Sequence, residues 1–98
     1  MSLEQLMDED RRITILRAVE KAPDYELNES ILHTILGEFG LACSRDKVKA
    51  LLSWLEEQGL ITTRSVMGCT IARLTNRGLD VAQGNVTHPG VKRPAPKG

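Results

Sequence analysis

The stretch SRDKVKALLSWLEEQGLITTRSVMGCTIARL, residues 44–74, changes its apolar period halfway along, and that change decides the fold. In the first half Val48, Leu51, Leu52 and Leu55 recur at i, i+3, i+4 and i+7. That is one face of a helix over 44–58, opened by Ser44 as N-cap and closed by Gly59 in the left-handed position past its end. In the second half two runs rich in β-branched residues, 60–66 and 69–74, flank Met67-Gly68, a pair suited to a tight hairpin turn. A helix feeding directly into a small hairpin is therefore expected.

Working outward, Ile13, Leu16, Ala18 and Val19 have helical spacing, with Asp8, Glu9 and Asp10 read as an acidic first turn and Lys21 as the last. Pro23 and Asp24 end that helix. Asn28 then caps a second apolar stripe, Ile31, Leu32, Ile35, Leu36 and Phe39, which Gly40 closes. Beyond the hairpin, Thr75 caps a short helix through Leu79, Val81 and Ala82, with Gly84 past its end and Gly78 as a weakening residue inside it. The predicted order is α-α-α-β-β-α, an α+β and mostly helical domain over 1–84. From Asn85 onward Pro89, Pro94 and Pro96 accompany Lys92, Arg93 and Lys97, with too little apolar surface to offset the entropy of ordering, so 85–98 is expected to be a disordered basic arm.

The 98 residues, 41% hydrophobic and 27% charged, suit one small domain that buries about 60 to 65% of its unfolded surface. No apolar run reaches the length of a membrane span and the start is acidic, so the expected location is the cytoplasm of a bacterial host cell. Cys43 and Cys69 form neither a disulfide framework nor a paired motif and are read as reduced, structural thiols. Three aromatics, Tyr25, Phe39 and Trp54, are too few for a single-strand stacking platform. Thirteen basic and thirteen acidic side chains give no net charge, yet residues 1–40 hold nine acids and four bases while 41–98 hold nine bases and four acids. Such asymmetry directs a polyanion toward the second half.

Residues 31–82 resemble the winged helix-turn-helix superfamily, most clearly in SRDKVKALLSWLEEQGLI, similar to a recognition helix entering the first wing strand, and ARLTNRGLDVA, similar to a second strand entering the last helix. With NESIL upstream and HPGVKRPAP at the end, the chain is also similar to a small family encoded in Mu-like phages and prophages. The resemblance implies three helices, a small hairpin wing and a short last helix, and for most relatives it implies binding of duplex DNA.

On that basis the helix over 44–58 would enter the major groove by its N-terminal end, where Arg45, Lys47 and Lys49 cluster and Ser44 offers a helix N-terminus to a phosphate. Ser53 faces the same way. Arg64 and Arg73 have the placement for backbone or minor-groove contacts from the wing. The DNA-binding set is thus Ser44, Arg45, Lys47, Lys49, Ser53, Arg64 and Arg73, serving transcriptional control or another phage DNA transaction. The alternative is a non-catalytic protein-interaction or dimerisation module without DNA binding. A homodimer is carried as a partner, although the exposed face of the first helix is mostly charged and shows no clear seam. Trp54, at the edge of the apolar stripe, is expected to close the core against the wing or a partner subunit.

Enzymatic function is not expected. His33 sits within the second helix pattern and reads as structural, His88 lies in the tail, and neither has a nucleophile at recognisable spacing. No metal, cofactor or small-molecule ligand is expected, because Cys43, Cys69 and the histidines lack the close spacing of zinc ligands and no phosphate-cradling glycine loop occurs.

Overall fold

A computed structural model describes residues 1–94. The first helix, α1, is Leu3–Glu20, five residues longer at its start than an acidic opening turn at Asp8 predicts. Its cap is a reciprocal pair: the Ser2 hydroxyl accepts from the Gln5 N–H at 3.1 Å, and the Ser2 N–H donates to the Gln5 side chain at 2.9 Å. Asp8, Glu9 and Asp10 are therefore interior helix residues. After a single 3-10 turn at Pro23–Tyr25 comes a strand absent from the predicted order, β1, Glu26–Asn28. It is only three residues long and lacks a β-branched residue, so no local preference announces it.

The second helix, α2, is Glu29–Glu38, capped by Asn28 as expected, and the third, α3, is Arg45–Glu57, capped by Ser44. The hairpin follows as β2, Ile61–Val66, and β3, Cys69–Leu74. Met67 and Gly68 both take positive φ, 50° and 79°, the pair of left-handed residues a two-residue turn requires. The last helix, α4, is Asn76–Ala82, with the Thr75 hydroxyl accepting from the Gly78 N–H. The described residues form a mostly helical α+β domain of four helices and one antiparallel sheet in the order β1-β3-β2.

One continuous core holds the layers together. Ile15, Leu16 and Val19 of α1, Leu32 and Leu36 of α2, and Val48, Leu52 and Leu55 of α3 are fully buried or nearly so against Leu60, Ile61 and Ala72 of the sheet side. Burial of this apolar surface is the main force for folding. Gly78, expected to weaken α4, is required there: a Cβ at this position would lie 1.9 Å from the carbonyl oxygen of Leu60. The helix approaches the hairpin so closely that only hydrogen fits.

The C-terminal segment corrects a second expectation. Residues 85–94 return across the domain instead of forming a disordered arm: Val91 is buried, the Lys92 N–H donates to the Glu9 carbonyl at 3.1 Å, and Arg12 donates to the Gly90 carbonyl at 2.8 Å. Composition measured in a window cannot show the docking surface that α1 and α3 present to this segment. The part of the arm that includes Pro96 and Lys97 lies outside the described residues.

Candidate functional site

The residues singled out for DNA contact lie at the start of α3 and on the outward face of the sheet, but the structure gives most of the cations carboxylate partners. Ser44 spends its hydroxyl on the cap, accepting from the Lys47 N–H at 3.0 Å. Lys47 Nζ lies 2.7 Å from Asp8 and 3.4 Å from Glu4, both on the first two turns of α1. Burial alone would push the Asp8 carboxyl up, but hydrogen bonds from Lys47 and Arg11 outweigh it and hold the group below its ordinary range. Lys47 is raised in return, chiefly by its hydrogen bond to Asp8.

Arg45 reaches Glu29, the first residue of α2, at 3.2 Å. Glu29 is completely buried, with its other oxygen accepting the Thr70 N–H at 2.7 Å. The backbone N–H of Thr70, together with Arg45, holds this carboxyl below the usual carboxylate range in spite of its burial. One side chain therefore ties together the starts of α2, α3 and β3.

On the sheet, Glu26 of β1 stands opposite Arg73 of β3, and its carboxylate lies 2.9 Å from Arg64 and 3.7 Å from Arg73. Both hairpin arginines are thus paired to one acid on the strand that no local signal predicts. Among the described residues, Lys49 alone of the five predicted cations makes no ion pair. Ser53 is exposed on the same helix. Of the five cations, four face carboxylates drawn from the acidic first forty residues.

Arg11, which no sequence pattern singled out, is the buried member of this network. Its guanidinium donates to the carbonyls of Leu41 and Ala42 at 3.0 and 3.1 Å and to Glu4 and Asp8 at 3.0 and 2.9 Å. It fixes α1 against the α2–α3 turn while satisfying two carbonyls past the end of α2. A carboxylate three residues before it, Asp8, and another seven before, Glu4, were the legible signal once the helix is started at Leu3.

Trp54 closes the domain against the C-terminal segment, not against the hairpin. The Arg12 guanidinium lies 4.0 Å over its ring, His88 meets it edge-on with centroids 5.9 Å apart, and Gly90 sits so near that a Cβ would approach the ring to 2.8 Å. His88 Nε2 lies 2.9 Å from the Gln58 amide oxygen, while its buried Nδ1 has no partner among the described residues. Burial, then Arg77, lowers the His88 pKa. His33 Nε2 donates to the Cys43 carbonyl at 2.8 Å, a link between α2 and the turn before α3. Among the described residues no group of three or more metal-ligating side chains converges, and no helix is long and apolar enough to cross a membrane.

No family model matches the chain. Two proteins are similar to it over most of their length. An uncharacterised protein, gp26, of Escherichia phage Mu is 42% identical over 95 residues, covering 97% of this chain and 98% of that protein. An uncharacterised protein of Haemophilus influenzae is 42% identical over 80 residues, covering 81% of this chain and 78% of that protein. Identity at that level, across nearly the whole of both chains, makes this protein a member of the phage Mu gp26 family.

Proposed function

We propose that this member of the gp26 family is a non-catalytic protein-interaction module with a winged-helix arrangement, working in the cytoplasm of the bacterial host cell. The order helix, strand, helix, helix, hairpin supports the winged-helix assignment, with β1 pairing to the hairpin between the first two helices. What carries the choice of partner is the pairing of Arg45, Lys47, Arg64 and Arg73 with Glu29, Asp8 and Glu26.

The partly exposed pairs of Arg64 and Arg73 with Glu26 are worth about 0 to 1 kcal/mol each, so a phosphate could displace them, whereas those of Arg45 and Lys47 are anchored on the buried Glu29 and the mostly buried Asp8. The displaced carboxylates would remain beside it. A surface whose cations are matched by fixed acids repels phosphates as it attracts them, and it forgoes the counterion release that drives duplex binding. Duplex binding through α3, with Arg64 and Arg73 alongside, retains in its favour only Lys49, Ser53 and the exposed start of the helix.

A fluorescence-anisotropy titration of labelled duplexes at low salt separates the two. An interaction module leaves anisotropy unchanged. Binding that weakens steeply with salt, and whose salt slope falls by about one on replacing Lys49 with alanine, would restore transcriptional control or another DNA transaction as the function.

A further inference from the structure

We propose that the α1–α2 face is the surface through which two copies of this chain pair, with α1 running antiparallel to its counterpart. This deepens the interaction-module proposal by naming the partner.

Starting α1 at Leu3 extends one helical stripe that a later start hides: Leu3, Leu6, Asp10, Ile13 and Arg17, spaced alternately three and four residues apart. Leu3 and Leu6 are 72% and 51% exposed at one end of it. At the other end the stripe enters a groove of about 540 Å³ between α1 and α2, lined by Ile13, Ala18 and Ile35, with Phe39 on its wall 68% exposed. The same face therefore holds both a pair of projecting aliphatic side chains and an apolar recess, each without a cover among the described residues. Projecting apolar side chains on the same face as an open apolar recess suit an interaction site.

Charge selects the occupant. Residues 3–10 contain Glu4, Asp8, Glu9 and Asp10 and no base; Glu4 and Asp8 are shared with Arg11 and Lys47 and Asp10 with Lys92, and Glu9 makes no ion pair among the described residues. The groove is lined by four bases, Arg17, Lys21, Lys92 and Arg93, against two acids, Asp10 and Glu38; Lys92 lies 3.6 Å from Asp10, and Arg17, Lys21 and Arg93 have no carboxylate within 4.0 Å among the described residues. The cations around this groove are thus less compensated than those of α3 and the hairpin. Antiparallel pairing brings the acidic, leucine-bearing start of each α1 over the basic groove of the other, so a single two-fold operation covers both features twice. It also opposes the two helix dipoles. Parallel pairing would set every acid of one start on those of the other, whereas the antiparallel register brings only Asp10, which Lys92 neutralises, opposite its own copy.

Sedimentation equilibrium of the full chain over a wide concentration range tests this. The expected result is a mass rising to twice that of the chain. Leu3→Glu/Leu6→Glu and Arg17→Glu should each raise the dimer dissociation constant by about tenfold or more. Their far-UV circular dichroism should match the parent, because Leu3 and Leu6 are exposed and Arg17 lies at the surface. Met67→Asn, at the fully exposed hairpin tip, should leave association unchanged. A single-chain mass at every concentration overturns the proposal, as does undiminished pairing of the Leu3→Glu/Leu6→Glu protein. Either result removes the second copy as partner without deciding between protein and duplex, which the anisotropy titration judges separately.

Discussion

Arg45 extends one guanidinium nitrogen to within 3.2 Å of Glu29, and of the two only Glu29 is fully buried. The pair is therefore unequal: losing the carboxylate strands the Thr70 N–H and leaves a gap at the junction of three elements, whereas losing the half-exposed arginine leaves Glu29 its backbone donor. Glu29→Ala should cost about 3 kcal/mol and Arg45→Ala about 1 to 2 kcal/mol. Urea denaturation midpoints measure both, and the reverse ranking would show that Glu29 serves Arg45 and not the fold.

Two glycines inside helices should respond in opposite directions. Gly78→Ala forces a methyl group onto the Leu60 carbonyl, where the ideal Cβ would stand 1.9 Å from the oxygen, so the variant should lose several kcal/mol, about 3 or more, or fail to fold. Gly37 lies within α2 with nothing within 4 Å of its Cβ position. Gly37→Ala should raise stability by about 0.5 to 1 kcal/mol. Thermal melts of the two proteins suffice.

Arg11 should tolerate no substitute. Arg11→Met keeps the apolar stem but leaves the Leu41 and Ala42 carbonyls without this donor and Asp8 with Lys47 alone, for an expected loss of about 3 kcal/mol. Arg11→Lys should recover only part of this, since one ammonium cannot span four acceptors. Equal stability of the lysine and arginine proteins in denaturant would contradict the geometry.

Docking of the C-terminal segment should depend on pH through His88. Its pKa lies below the ordinary 6.5 when the segment is packed, so protons bind the released state first and favour it. The groups facing the ring are Trp54, Gln58 and the cation Arg77, with Arg12 on the far side of the indole, and no carboxylate among them compensates a positive imidazole. Stability is full above 6.5 and should decline as pH falls through that value. A second decline belongs to Asp8 and Glu29, whose lowered pKa values make their contribution present above 3.8 and 4.5 and lost as pH drops further below. Trp54 fluorescence should redden across the upper step, and His88→Phe should abolish that step alone.

A chain ended after Gly84 tests the same docking without protons. Removing the segment uncovers Trp54 and Val91's site against α1, so fluorescence should shift to the red and the melting temperature should fall. An unchanged spectrum would mean that the indole is covered by something else.

Repeating patterns made most of the fold legible from residues alone. The 3.6-residue period of Val48, Leu51, Leu52 and Leu55, the caps Asn28, Ser44 and Thr75, and the turn at Met67-Gly68 are all local, each requiring only a few neighbouring residues to act. The start of α1 was also written locally, in the Ser2 and Gln5 capping pair, but that signature lies apart from the apolar stripe it opens.

What tertiary structure alone decided is which charges meet. Glu26 reaches Arg64 and Arg73 because a three-residue strand is held by its partner and not by its own propensity. Asp8 reaches Lys47 across 39 residues, Glu29 reaches Thr70 across 41, and Trp54 takes its cover from a segment whose composition suggested none. Coulomb attraction and burial act over distance in space, whereas periodicity and capping act over distance along the chain. The residues alone therefore list the cations, and only the folded chain gives Arg45, Lys47, Arg64 and Arg73 their carboxylates.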